Sequence, residues 1–207
     1  MISTILFDVD GTLLDTHEYI YQSFEHSLRK HHKSLSRQAI QKIMGLPLDE
    51  CYRILTQLED VKLLSNSHRK FQSENLHLSK PYPNTISTLS NLKSKKIKIG
   101  AVTTRTKDTA RRTLELANIW PYLDFFIGVD DVKNPKPDPE GILKALEFLN
   151  ADSNSTLMVG DSDVDILAGQ NGGVKTVGAT CGFHGKKIAN FDPDFVIDDI
   201  GKIVSLM

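Results

Sequence analysis

The sequence predicts an α/β protein: a Rossmann-like parallel sheet core with an inserted helical-bundle cap domain. Three observations carry that expectation. Short apolar runs alternate with amphipathic stretches from about residue 97 to the end, which is strand–helix alternation. Residues 17–79 show helical spacing alone, so a block of helices interrupts the pattern soon after it begins. Chemically capable side chains also gather where predicted strands end: Asp8 with Asp10, Thr103 with Thr104, Lys136 in a following loop, and Asp161 with Asp165. Open parallel sheets bind ligands at that edge.

The first strand is Ile2 to Phe7, followed by Asp8-Val9-Asp10-Gly11-Thr12-Leu13-Leu14-Asp15-Thr16. Two carboxylates two residues apart fall on the same side of an extended chain. At ~4 Å and an effective dielectric of ~20 they repel by roughly 4 kcal/mol. The pair therefore needs a cation, or a proton on one member.

The helical block follows. Ile20, Phe24 and Leu28 lie at i, i+4, i+8. Ser36 suits an N-cap for a helix bearing Ala39, Ile40 and Ile43. Gly45-Leu46-Pro47 breaks that helix, Leu48, Tyr52 and Leu55 restart it, and Leu64, His68 and Phe71 mark another. Lys80-Pro81-Tyr82-Pro83 reads as a stiff extended linker. The expected division is a core of 1–15 and 81–207 and a cap of 16–80, hanging over the sheet edge as a lid.

Beyond the linker, Ile97 to Thr103 predicts a strand, Lys107 to Asn118 a helix and Phe125 to Val129 a strand. Asp138-Pro139-Glu140 opens a helix, with Asp as N-cap and Pro in the first turn. Thr156 to Gly160 is a strand, Val164 to Asn171 a helix ended by Gly172-Gly173. Strands at 174–179 and 195–197 and a last helix from about 199 to 206 complete the pattern.

Lys and Arg number 25 against 26 Asp and Glu, a net charge of −1 with no basic run. Nucleic acid and anionic membrane are therefore not expected partners. Cys51 and Cys181 are far apart and lack metal-ligand spacing, which suits reduced thiols in the cytoplasm. Residues 1–7 are too short for a signal peptide, and no apolar run approaches the ~20 residues of a membrane span. The histidines, His31-His32 included, show no ligand spacing, so a His-bound transition metal is not expected. His17, near the hinge, reads as a surface residue.

Taken singly, each candidate has an ordinary explanation. Asp10-Gly11 is a common turn, Thr103 a common strand residue, and Lys136, between Pro135 and Pro137, a surface lysine on a rigid loop. Asp161, Asp163 and Asp165 repeat the spacing of a calcium loop, but Ile166 and Gly172 stand where that loop needs Gly and Glu. Together they read differently. Asp8, Asp10 and Asp161 offer hard oxygens for a cation, while Lys136 and Thr103 offer charge and a hydroxyl to a phosphoryl group.

Asp8-Val9-Asp10-Gly11-Thr12, Ala101-Val102-Thr103, Asn134-Pro135-Lys136-Pro137 and Met158-Val159-Gly160-Asp161 with Asp165 resemble, in order and spacing, the four motifs of the haloacid dehalogenase superfamily. The resemblance spans essentially the whole chain, and the helical insert resembles the family's type-one cap. It implies that Asp8 is the nucleophile and forms an aspartyl-phosphate, while Asp10 is the general acid/base. It implies Mg²⁺ on Asp8, the Asp10 backbone carbonyl and Asp161, with Asp165 as an outer ligand or orienter. Thr103 would bind the transferring phosphoryl group and Thr104 add a backbone amide, or the two exchange roles; Lys136 would neutralise charge. Asp10 is the residue that the dehalogenase branch lacks. The nearest likeness is to phosphoglycolate phosphatases and related bacterial pyrophosphatases.

The expected activity is hydrolysis of a small phosphorylated metabolite (phosphoglycolate, pyrophosphate or a sugar phosphate) by a cytoplasmic monomer or homodimer. Specificity is expected in the cap, at Gly45 and Leu46, where a glycine lets backbone approach a ligand. The rivals are a β-phosphoglucomutase-like phosphomutase and a non-enzymatic regulatory or binding protein that keeps the fold.

Overall fold

The computed structural model describes residues 2–30 and 35–207; the pair His31-His32 lies outside them. The chain runs β1 (Thr4–Phe7), β2 (Leu14–Asp15), then α1 (His17–Lys30), α2 (Arg37–Gln41), α3 (Leu48–Thr56) and α4 (Lys62–Glu74). It returns through β3 (Lys80–Pro81) to α5 (Thr85–Ser94), β4 (Lys98–Val102), α6 (Lys107–Leu116), β5 (Phe125–Ile127) and α7 (Glu140–Leu149). It ends with β6 (Thr156–Gly160), α8 (Asp163–Asn171), β7 (Lys175–Ala179), β8 (Phe195–Ile197) and a 3₁₀ segment, Ile200–Leu206.

Six strands form one parallel sheet in the order β5-β4-β1-β6-β7-β8. The chain moves outward from β1 on one side, then crosses to β6 on the other, so the switch point lies beside β1. All four residues of β1 are buried, as expected of a central strand covered on both faces. Alternation sends Ile5 and Phe7 into the cluster with Leu89, Leu92, Ala110 and Leu114 of α5 and α6. Leu6 goes to the opposite cluster, with Ile142, Ala145 and Ala168 of α7 and α8. Among the described residues no helix is long and apolar enough to cross a membrane.

Ser36 caps α2 as its sequence suggests, accepting the Ala39 amide at 3.2 Å. Other elements depart from expectation. Helix α5 has no counterpart in the sequence reading: TISTLSNLKS is rich in poor helix formers, and left-handed Asn84 offers no side-chain cap. Burial of Thr85, Thr88, Leu89 and Leu92 overrides that propensity. The stiff linker pairs: Leu14 faces Pro81 and Asp15 faces Lys80 in an antiparallel ribbon joining the helical block to the sheet. Helix α7 starts at Glu140, one residue later than Asp138 as N-cap and Pro139 in the first turn imply, and Asp138 Oδ1 accepts the Glu140 amide at 2.9 Å.

The helical block has its own apolar cluster, including Phe24, Leu28, Ile40, Tyr52 and Leu64. His68 is buried beside it, with Nδ1 2.9 Å from the Tyr52 hydroxyl and its ring edge-on to Phe24. Burial, then the charges of Arg69 and Arg105, pulls its pKa down to about 3 from 6.5. The unfolded chain therefore takes up a proton below pH 6.5 that the folded chain refuses, and stability falls as pH drops from there toward 3. By about pH 4.5 the loss is on the order of 2–3 kcal/mol. His68→Gln should flatten that dependence. Urea midpoints at about pH 7.5 and 4.5 test this, and parallel shifts in both proteins would contradict it.

Candidate active site

Asp8 continues the line of β1; its amide donates to the Val159 carbonyl at 2.8 Å. The side chain is buried and reaches the Lys136 ammonium, Nζ to Oδ1 at 2.7 Å. Lys136 Nζ also donates to the Val102 carbonyl at 3.0 Å and to Asp165 Oδ1. The loop that delivers Lys136 is pinned by Glu140, whose Oε2 accepts the Lys133 and Asn134 amides at 3.0 and 2.9 Å. Taken singly Lys136 reads as a surface lysine; it is 5% exposed, a buried ammonium between two carboxylates, as its combined reading with Asp8 and Asp161 expects of a charge at the site.

Asp161 follows the last residue of β6, and Asp165 sits in the first turn of α8. Asp165 Oδ2 accepts from the Ser162 amide at 3.1 Å and hydroxyl at 2.5 Å, a capping box that orients the carboxylate. Asp161 Oδ2 accepts the Phe183 amide at 2.6 Å. Carboxylate oxygens of Asp8, Asp161 and Asp165 lie within 4.8 Å of one another. Space for them is cleared by glycine: a Cβ on Gly11, where φ is +81°, would fall 2.4 Å from Asp161 Oδ2, and one on Gly182 2.2 Å from it.

Burial raises the Asp8 pKa to about 7; Lys136 opposes the rise, and Asp165 and Asp10 add to it. Burial, with Asp165 and Asp8 as neighbours, holds Asp161 well above the ordinary carboxylate range. For Lys136 burial acts downward, but Asp165 and Asp8 outweigh it and keep the ammonium charged. One lysine does not balance three crowded carboxylates. Asp8 Oδ2 and Asp161 Oδ1 have no hydrogen-bond partner among the described residues, and their hard oxygens fit a divalent cation.

Asp10 behaves differently. Its carboxylate is not in the cluster of three; Oδ1 lies 3.3 Å from Arg105 Nη1. Only its backbone carbonyl is left for the cation role that the resemblance implies. Arg105 is the residue that sequence reasoning missed. It also donates to Thr113 Oγ1 at 3.1 Å and the Thr109 carbonyl at 2.5 Å, and its guanidinium lies over the Tyr19 ring at 5.3 Å. The available signal was a charged residue directly after Thr103-Thr104 at a strand's carboxyl end.

A cavity of about 270 Å³ lies between sheet edge and helical block. Asp8, Asp10, Thr104, Arg105 and Asp161 line it from the sheet side. Gly45, Leu46, His68, Arg69 and Gln72 are among the residues that line it from the helices. Gly45, at φ +96°, brings its loop so close that a Cβ would fall 2.8 Å from Ser162 Oγ. Thr103, Lys136 and Asp165 are buried and not part of the lining; Thr103 Oγ1 accepts the Arg105 amide at 3.2 Å.

The sequence profile described as haloacid dehalogenase-like hydrolase matches residues 5–179. The chain belongs to the haloacid dehalogenase-like hydrolase family. It is 34% identical to the pyrophosphatase PpaX of Bacillus cereus (strain B4264) over all of this chain and 96% of that one. It is 35% identical to the pyrophosphatase PpaX of Anoxybacillus flavithermus, over all of this chain and 97% of that one. A Bacteroides fragilis crystal structure described as a haloacid dehalogenase-like hydrolase superposes with a TM-score of 0.89 at 29% identity, covering 98% of this chain and 100% of that one. As an enzyme of this family, the protein is a phosphatase-type hydrolase with an α/β core. The carboxyl end of β1, the switch point beside it and the buried cluster of Asp8, Lys136, Asp161 and Asp165 lie at one edge of the sheet.

Proposed function

We propose that this protein is a Mg²⁺-dependent cytoplasmic phosphatase that hydrolyses a small phosphorylated metabolite through an aspartyl-phosphate on Asp8. The observation that carries the reading is the Asp8 carboxylate itself: Asp8 lines the cavity, with one oxygen held by Lys136 and the other unpartnered among the described residues. The Asp8 carboxylate attacks phosphorus and the bond to the leaving oxygen breaks. Asp10 gives that oxygen a proton, then takes one from the water that attacks phosphorus as the bond to Asp8 breaks and phosphate leaves. Lys136 holds Asp8 in line, and Thr104, in the cavity wall, supplies a donor to the phosphoryl oxygens, with Thr103 buried behind it. Asp8, Asp161 and the Asp10 carbonyl would hold Mg²⁺, with Asp165 orienting Lys136 and the start of α8. The ion supplies charge neutralisation at the phosphoryl oxygens.

Residues 16–80 act as a cap, and Gly45 and Leu46 meet the substrate there. A space of about 270 Å³ falls below the range typical of drug-sized ligands and suits a compact substrate. Pyrophosphate, on which the relatives are named as acting, leads the candidates, followed by phosphoglycolate and small sugar phosphates.

The test is phosphate release from pyrophosphate, phosphoglycolate, sugar phosphates and nucleotides with Mg²⁺. Release from a compact substrate is expected, with EDTA stopping it and Mg²⁺ restoring it. Activity that survives the chelator would remove the metal assignment. Interconversion of sugar 1- and 6-phosphates without net phosphate release would replace hydrolysis by a mutase reaction.

A further inference from the structure

The loop after β7 carries Phe183 into both halves of the molecule. Its amide donates to Asp161 Oδ2 at 2.6 Å. Its carbonyl accepts from the Gln41 side chain on α2. Its ring is 3% exposed and belongs to the apolar cluster of the helical block, not to either cluster of the sheet. That ring lies 4.3 Å from the imidazole of His17, the first residue after the hinge strand β2's turn into α1, and 6.2 Å from Tyr21. Tyr82, just past the return strand β3, donates its hydroxyl to the neighbouring Cys181 carbonyl at 3.0 Å. The loop is therefore tied to both hinge segments as well as to the block.

The backbone here has little freedom. A Cβ on Gly182 would fall 2.2 Å from Asp161 Oδ2, so the chain before Phe183 is pressed against the carboxylate. The Phe183 amide is the one hydrogen-bond donor to the Asp161 side chain among the described residues. A carboxylate with one oxygen held this way presents the other in a fixed direction, and such partners tune a ligand's affinity. If the helical block swings out, the Phe183 ring must either leave its cluster or take its amide along.

We infer that Phe183 is a positioning residue: the seating of the helical block on the sheet sets the orientation of Asp161 through the Phe183 amide, so cation binding and cap closure are one coupled equilibrium. The inference rests on the reading of Asp161 as a cation ligand. Linkage makes the coupling reciprocal: a cation bound at Asp161 favours the seated block by the factor with which the seated block favours the cation.

Calorimetric Mg²⁺ titration without substrate tests this on the full chain, with wild type, Asp161→Asn, Phe183→Ala, Phe183→Leu and Gln41→Ala. Wild-type binding is expected to be lost in Asp161→Asn. Phe183→Ala should weaken it by about 10-fold and Gln41→Ala by a smaller factor, while Phe183→Leu, which keeps an apolar anchor, stays within about 2-fold. Hydrogen exchange gives a second readout: Mg²⁺ should slow amide exchange in α1 and α2 of wild type but not of Phe183→Ala. A folded Phe183→Ala that binds Mg²⁺ as tightly as wild type, with α1 and α2 still responding to Mg²⁺, overturns the inference. Should Phe183→Ala fail to fold, Gln41→Ala decides: Gln41 is exposed, and unchanged affinity with an unchanged exchange response overturns the inference there too. Wild-type binding that survives Asp161→Asn is a different failure, which removes the cation assignment itself and this inference with it.

Discussion

Asp8→Asn should abolish turnover, by about 10⁴-fold or more, while leaving the fold intact. The amide is a far poorer nucleophile than the carboxylate, and no neighbouring group can replace it. Asp165 is occupied by Lys136 and Ser162, and Asp10 is turned toward Arg105. The fold should tolerate the change because Asn has the same shape and carries no charge. Burial already pushes the Asp8 pKa up to about 7, so the site strains against the ionised form. Lys136 keeps the Val102 carbonyl and Asp165 as partners. The thermal midpoint should therefore be unchanged or higher. Phosphate release and circular dichroism on the purified variant check both halves, and near-normal turnover would remove Asp8 as nucleophile.

Lys136→Met should cost both activity and stability. The side chain of Lys136 is 4% exposed, and those of its partners Asp8 and Asp165 are 9% and 1% exposed. Removing one partner of a buried ionic group leaves uncompensated charge and costs roughly 3–5 kcal/mol. The sign with pH follows. Without the ammonium, the folded-state carboxylate pKa values rise further above their unfolded value of 3.8. The folded variant then binds protons that the unfolded chain has released, so its stability falls as pH rises. The deficit against wild type should be largest near pH 8 and shrink toward pH 5. Added Mg²⁺ should recover part of it, since a ligand that binds only the folded state stabilises it. Turnover should fall about 10³-fold, the magnitude of removing one fixed charge stabiliser. Urea unfolding at the two pH values, with and without Mg²⁺, measures this; a deficit independent of pH would mean that Lys136 does not neutralise the carboxylates.

Patterns along the chain suffice to place the sheet's strands, the helical interruption and the residues at the strand ends. Those signals are local. Strand β6 and strand β8 match their expected spans because a short apolar run between turn residues needs no distant partner to be recognised. Asp8, Lys136 and Asp161 are legible because each sits in a short motif beside its own strand.

Relations between remote parts of the chain come from packing instead. Helix α5 exists because its buried Leu89 and Leu92 join the apolar cluster under the sheet, not because its residues favour helix. Asp10 pairs with Arg105, 95 residues away, which separates its carboxylate from the cluster that its neighbour Asp8 joins. Lys136 becomes a buried charge only when β4, β1 and α8 converge on it. Phe183 belongs by its amide to Asp161 and by its ring to a helical block more than a hundred residues earlier. Spacing along a chain reports which faces are apolar and which ends are charged. It does not report which charge meets which, because that depends on how the crossovers of a parallel sheet bring remote strand ends to one edge.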